Sequence, residues 1–192
     1  MLSGVYVDHT GDPSWAQRAV AGVLPPASGL DEEGRPVGAA LCGHAALRHA
    51  IGPRWRRGAG GPIEVAIGLR RSVKPVRGYR FVRLARLEER TDDLRTPPRL
   101  RLPDALAELV VAAGDGLDVV GLVADAAQSR CVTTREVIDA LAQRPRVAGR
   151  TRLMAVLDDV AAGSSSASSC SSSRTSSAPT GCRSPSASSR TW

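Results

Sequence analysis

The chain has 192 residues, of which 42% are hydrophobic and 3% aromatic, and this size suits one domain. It carries 26 basic and 19 acidic residues, a formal net charge of +7. No apolar run approaches the roughly 18 residues of a spanning helix, and the first residues lack the features of a signal peptide, so we expect a cytoplasmic protein without a membrane segment. The 4 cysteines have the spacing of neither a disulfide framework nor a zinc site, so we expect no metal and no cofactor.

The first quarter of the chain predicts a strand, a helix, a loop and a second helix. Residues 4–8 alternate between apolar and polar side chains like a short strand. Asp12 has the position of an N-cap before proline, which predicts a helix that ends by residue 25. A polar loop over 26–36 and a small-residue helix over 37–51 follow.

Two strands come next in the chain. A basic, glycine-rich segment over 54–61 leads into 63–69, where apolar residues alternate with period two and predict the best-defined strand. Residues 79–83 predict a second strand. The connection over 70–78 is basic, and we expect the two strands to pair as a β-hairpin around it.

The remainder of the body predicts a helical cluster. Apolar residues recur at helical spacing in four segments, which cover 102–114, 118–128, 134–144 and a last helix that ends at Gly163. Thr133 and Glu136 have the spacing of a capping box before the third helix. The order of elements predicts an α+β fold, with short strands and a β-hairpin followed by a helical C-terminal cluster, in one domain over 1–163.

The C-terminal segment has a different composition. Residues 164–192 include 14 serines and use only eight residue types. Such a segment cannot bury enough apolar surface to offset its ordering entropy, so we expect a disordered tail. It has the composition of a serine-rich linker. Every codon for those eight types has G or C at its middle base, so out-of-frame translation of a formerly folded segment explains it as well, and we prefer that hypothesis.

Positive charge is concentrated in the middle of the chain. Between Arg48 and Arg101 there are 15 basic and 5 acidic residues. Guanidinium groups on loops and strand ends there could contact the phosphates of DNA, although a basic face is also often only solvated. The candidate nucleic-acid contacts are Arg54, Arg56, Arg57, Arg70, Arg71, Lys74, Arg77 and Arg80.

No group of residues in the sequence assembles a catalytic or metal site. His44 and His49 are five residues apart, whereas two ligands on one helix face need an interval of three or four. The glycine-rich residues 58–62 precede a strand and lack the lysine and hydroxyl of a phosphate loop. We therefore expect a protein that is not an enzyme.

Two of the predicted helices permit a further interpretation. The helices over 118–128 and 134–144 are joined by a short turn, which allows a helix-turn-helix with Thr134 and Arg135 at the start of the recognition helix. An ordinary helical hairpin explains the same spacing.

Several segments of the chain resemble actinobacterial proteins similar to AbiEi-type antitoxins of type IV toxin-antitoxin systems. They are residues 4–11, which read GVYVDHTG, together with 42–53, 63–66 and 124–130. The resemblance is one of running sequence rather than of a catalytic motif. It implies a transcriptional regulator or antitoxin, with DNA and a cognate toxin as partners.

Members of that family usually carry a winged-helix DNA-binding domain before the segment that matches residues 4–8. Many continue beyond the position that matches Gly163 into a domain similar to very-short-patch-repair endonucleases. Neither domain is recognisable in this sequence, so we expect a central domain truncated at both ends, non-catalytic, with at most weak nucleic-acid or partner binding. Two alternatives stay open: the remnant of a DNA endonuclease-like protein that lost its catalytic domain, and a decayed gene product.

Overall fold

A computed structural model describes most of the body of the chain. The described residues are 11–26, 29–30, 34, 36–114, 116–144, 147 and 149–169. The strand predicted at 4–8 and most of the serine-rich tail, 170–192, lie outside them.

Helices and short strands together confirm the predicted α+β fold. The helices of the described residues are α1 Trp15–Val23, α2 Gly43–Ile51, α3 Leu87–Arg90, α4 Leu102–Ala113, α5 Gly116–Gln128, α6 Thr134–Ala142 and α7 Arg150–Ser169, with a 3₁₀ turn at Gly52–Arg54. The strands are β1 Gly29–Leu30, β2 Pro36–Val37, β3 Ala39–Leu41, β4 Ile63–Gly68, β5 Tyr79–Leu84, β6 Thr91–Asp92 and β7 Arg99–Leu100.

The main sheet has five strands in the order β5-β4-β3-β7-β6. The central strand β3 is antiparallel to β4 and parallel to β7, and β6 is antiparallel to β7. The first two strands form a separate antiparallel pair in the segment that the sequence predicts as a loop, except for Val37, where it predicts the start of a helix. The sheet therefore mixes parallel and antiparallel pairs.

The predicted β-hairpin is wrong, although the two predicted strands do pair. β4 and β5 run parallel, with Ile63 opposite Tyr79 and Gly68 opposite Leu84. The connection therefore returns along the whole of β4, which is about 17 Å long at the usual rise per residue. Residues 69–78 are too many for a tight hairpin turn, and Val73 in this connection packs against the core of the sheet.

The predicted helix over 37–51 is correct only in its second half. Ala39–Leu41 form the central strand β3, and α2 begins at Gly43. Ala39, Ala40 and Leu41 are fully buried between neighbouring strands, so tertiary packing overrides the helical preference of these small residues. Gly43 has a φ of +52° at the junction, a conformation that favours glycine.

The strands β6 and β7 lie in a region that the sequence analysis does not assign to strands. Each has two residues, too few to show an alternating pattern. Arg99 of β7 pairs with Leu41 of β3, so these short strands complete the sheet on its far side.

Two capping boxes fix the starts of α1 and α6. Thr133 caps α6 as predicted, with its backbone N–H donating to Glu136 Oε2 at 2.7 Å. The N-cap of α1 is Ser14 rather than the predicted Asp12, and its N–H donates to Gln17 Oε1 at 2.8 Å. Ser14 takes this role because Gln17 lies three residues later and completes the reciprocal bond.

The last helix is longer than the sequence predicts. α7 continues past Gly163 to Ser169, so the predicted stop at Gly163 is wrong and the first six residues of the serine-rich tail are helical. One glycine costs a helix only ~1 kcal/mol relative to alanine, and that is too little to terminate it. The next proline is Pro179, so no residue with a strong helix-breaking effect follows at once.

Two clusters of buried apolar residues form the core. One surrounds the sheet and includes Ala19 of α1, which covers one face, while the other joins α4, α5, α6 and α7. α2 belongs to both, since Ala45 and Ala46 face the sheet cluster and Leu47 faces the helical one.

An ionic network also holds the helical cluster against the sheet. Arg90, at the end of α3, donates from Nε to Asp104 at 2.8 Å and from Nη2 to Glu108 at 2.5 Å. Both carboxylates belong to α4, and Arg144 beyond α6 lies 3.1 Å from Glu108. All four side chains are mostly buried, so the network fixes how α3 and α6 sit on α4.

Candidate nucleic-acid interface

The eight basic residues singled out in the sequence lie on three segments of the structure, which precede β4, connect β4 to β5 and form β5. Arg54, Arg56 and Arg57 line a cleft beside α2. Arg70 lies just after the end of β4. Arg77 lies just before β5, and the start of β5 is beside the start of β4 because the two strands are parallel. The parallel pairing therefore places the two ends of the basic connection about 17 Å apart.

The cleft lies between the C-terminal ends of α2 and α5 and has a volume of about 600 Å³. One wall is formed by the end of α2, the 3₁₀ turn and the segment that follows it, and it carries Arg54, Arg56 and Arg57. The opposite wall is the end of α5 and the turn after it, with Asp125 and Arg130. Four arginines and one aspartate give the lining a formal charge of +3.

Trp55 anchors the segment that carries the cleft arginines. Its side chain is 3% exposed, belongs to the helical core cluster and lies against His44 with ring centroids 6.0 Å apart. Its backbone N–H donates to the carbonyl of Gly52 at 3.1 Å. Gly58 lies so close to His44 that a Cβ there would be 2.7 Å from the His44 side chain. The segment is thus packed along α2, and the neighbouring arginines project from a fixed backbone.

Arg57 crosses the cleft and binds α5. Its Nε donates to Asp125 Oδ2, and the two side chains are 36% and 45% exposed. Its Nη2 lies 2.5 Å from the position that a Cβ on Gly121 would occupy. Gly121 and Asp125 are one turn apart on α5, so the guanidinium lies along a single face of that helix.

The other three arginines of the cleft are available to a ligand. Arg54, Arg56 and Arg130 are exposed, and within the described part of the chain no carboxylate pairs with them. Guanidinium groups present planar forks of donors that match the oxygens of phosphates and carboxylates. The cleft is therefore suited to an anionic group.

Arg130 is the functional candidate that the sequence analysis missed, because it lies outside the basic block. It follows α5 in the left-handed conformation, with a φ of +57°, and its N–H donates to the carbonyl of Ala127 at 3.0 Å. A basic residue just after a helix is favoured by the partial negative charge of the helix end. The sequence therefore contained a local signal for Arg130, but it did not show that Arg130 and Arg54 line the same cleft.

Arg80 has a structural partner. It forms an ion pair with Glu64, whose side chain is 7% exposed while that of Arg80 is 58% exposed. The same carboxylate accepts a hydrogen bond at 2.6 Å from the backbone N–H of His44, in the first turn of α2. A carboxylate is favoured at a helix N-terminus, and Gly43 leaves room for it. Arg80 is therefore already paired with a buried carboxylate.

Burial decides the protonation of the side chains around this acid. Burial raises the pKa of the Cys42 thiol well above its usual value, and the nearby charge of Glu64 adds to the rise. Burial lowers the pKa of His44, against the opposing effect of Glu64, and Arg57 and Arg80 lower it further. Cys42 is thus a protonated thiol at neutral pH, which is a poor nucleophile.

The described geometry does not favour the helix-turn-helix interpretation. Thr134 is only 6% exposed, so it cannot contact a base edge. Arg135 is exposed and pairs with Asp139 at 3.3 Å on the same helix. Both α5 and α6 pack on α4, as in an ordinary helical cluster.

Two further properties of the described residues bear on function. No group of three or more His, Cys, Asp or Glu side chains among them could hold a metal ion. None of the helices in the described ranges is both long enough and apolar enough to cross a membrane.

Compared with known proteins, the chain matches no family model, no curated protein and no solved structure. The likeness to AbiEi-type antitoxins therefore rests on the sequence segments alone. The cleft is identified from the geometry of the structure and does not depend on that likeness.

Proposed function

We propose that this chain is a non-catalytic, DNA-binding part of a regulator similar to AbiEi-type antitoxins, and that it holds the phosphate backbone of duplex DNA in the arginine-lined cleft. The observation that supports this most is the grouping of Arg54, Arg56 and Arg130 without carboxylate partners among the described residues. The cognate toxin that the resemblance implies would be a second partner.

The cleft favours contact with the backbone over recognition of bases. Trp55, the one aromatic residue of the described lining, is buried, so it offers no exposed ring on which a base could stack. Binding of single strands depends on such stacking, whereas a duplex presents its phosphates on the outside. Contacts to phosphates position a protein without reading sequence, so we expect affinity with little sequence preference.

Electrostatic binding of this kind has a measurable salt dependence. Each phosphate that is neutralised releases counterions and contributes a slope of about −0.9 in a plot of log affinity against log salt. Three cleft arginines in contact with three phosphates would give a slope of about −2.7 by that relation. Affinity would then fall by a factor of about 40 between 50 and 200 mM salt.

Two triple variants with the same loss of charge test the proposal. Arg54, Arg56 and Arg130 are replaced by alanine in one, and Arg70, Lys74 and Arg77 in the other. Fluorescence anisotropy of a labelled 25-base-pair duplex is measured from 50 to 200 mM salt. We expect the cleft variant to lose most of the affinity and of the salt slope, while the connection variant keeps the greater part of both.

Each other result has a definite meaning. Equal losses in the two variants would show that net charge rather than the cleft governs binding. Absence of any duplex binding by the unmodified chain at 50 mM salt would refute the proposed function.

A further inference from the structure

Arg57 differs from the other arginines of the cleft because its guanidinium already binds a carboxylate, that of Asp125. Asp125 accepts a hydrogen bond from its Nε, and Gly121 leaves the space into which its Nη2 fits. The guanidinium thereby bridges the two walls of the cleft, which carry Arg56 and Arg130.

Carboxylates and phosphates bind the same edge of a guanidinium with the same fork-like geometry. Asp125 therefore occupies the place that a phosphate oxygen would take. The pair is more than a third exposed on both sides, and an exposed ion pair is weak enough to exchange with a competing anion. No covalent bond changes in such an exchange.

We propose that Arg57 is a fourth phosphate-binding group of the cleft, beside Arg54, Arg56 and Arg130, and that a backbone phosphate displaces Asp125 from it. The inference rests on the proposed function, since the ligand is the phosphate backbone of duplex DNA. Asp125 acts as an internal competitor that lowers the affinity of the cleft for phosphate.

Two substitutions release Arg57 in different ways. Asp125→Asn removes the competing charge. Gly121→Ala keeps every charge but places a Cβ 2.5 Å from the position of Arg57 Nη2, so the guanidinium must shift away from that face of α5. Alanine also has a higher helix propensity than glycine, so the helix is retained. We expect each variant to bind the 25-base-pair duplex about two- to fivefold more tightly, which corresponds to release of an exposed ion pair.

Asp159→Asn is the matched control. Asp159 is exposed on α7 and lies beside Leu117, at the end of α5 opposite to the cleft. The substitution Asp159→Asn removes the same charge as Asp125→Asn, so it measures the effect of net charge alone. The effect of Asp125→Asn should also disappear when Arg57 is replaced by alanine in the same chain.

The outcomes separate the two proposals. Tighter binding by both Asp125→Asn and Gly121→Ala, beyond that of Asp159→Asn and dependent on Arg57, supports the exchange. If neither variant exceeds the control while the cleft triple variant still loses affinity, the exchange is wrong and the cleft function stands. If the cleft triple variant binds like the unmodified chain, the proposed function fails. Circular dichroism of each variant confirms that it is folded.

Discussion

Glu64→Gln should destabilise the fold although it keeps the shape of the side chain. Glu64 is buried, accepts the N–H of His44 at 2.6 Å, lies at the N-terminus of α2 and pairs with Arg80. The substitution removes the negative charge from all three interactions. Glutamine can still accept the hydrogen bond from His44, so the loss is that of charge and not of packing.

The size of the effect follows from these three interactions. A hydrogen bond to a charged acceptor is stronger than a neutral one by about 1 kcal/mol. The charge at a helix N-terminus contributes about 0.3–1 kcal/mol. Arg80 is 58% exposed, so its pair is screened by solvent and contributes no more than ~0.5 kcal/mol. Removing the charge also relieves the cost of burying it, which offsets part of these contributions, so we expect a net loss of about 1 kcal/mol, or a fall in Tm of about 2–4 °C for a domain of this size.

Urea unfolding at pH 7, followed by circular dichroism, measures this loss. The control is Asp93→Asn, since Asp93 is exposed in the turn after β6, outside any helix, and has no ion pair among the described residues. We expect the control to unfold within error of the unmodified chain. If Glu64→Gln unfolds at the same urea concentration as the control, the charge of Glu64 does not stabilise α2 and the reasoning is refuted.

Three more predictions concern stability, pH and thiol reactivity. Arg90→Ala should lower the free energy of unfolding by about 1–3 kcal/mol, because it leaves the mostly buried Asp104 unpaired and Glu108 with Arg144 alone, and a loss below 0.5 kcal/mol by urea unfolding would contradict this. The lowered pKa of His44 means that the unfolded chain binds its proton first, so stability should be full above pH ~6.5 and fall as the pH drops below it. His44→Gln should remove part of that dependence, the rest coming from His49, whose pKa burial also lowers, and an unchanged pH profile would count against it. Iodoacetamide should label Cys131 in the folded chain and leave Cys42 unmodified until denaturant is added, as read by peptide mass mapping, because Cys131 is exposed while Cys42 is buried with a raised pKa.

Elements with a strong local pattern could be located from the sequence. The strand β4 and the helices α4, α5 and α6 show the period of their own structure over enough residues to be distinct, and the capping box at Thr133 marks a helix start to the residue. These signals arise from interactions between residues two to four positions apart.

The arrangement of the strands could not be predicted from such local patterns. Ala39–Leu41 have no alternation that distinguishes a central strand from a helix, and the two-residue strands β6 and β7 are too short for any pattern. Whether β4 and β5 are parallel depends on the path of residues 69–78, which is set by packing on the sheet. Such contacts join residues far apart in the chain.

The same distinction applies to the candidate site. The sequence by itself determined that positive charge is concentrated around Arg54 and Arg57, since charge is a property of each residue. Only the tertiary structure placed Arg130 on the facing wall and Asp125 against Arg57, 68 residues away. It also separated Arg70 from Arg77 by running β4 and β5 parallel. Composition fixes how much charge a chain carries, whereas the packing of α2 and α5 decides which charges share one cleft.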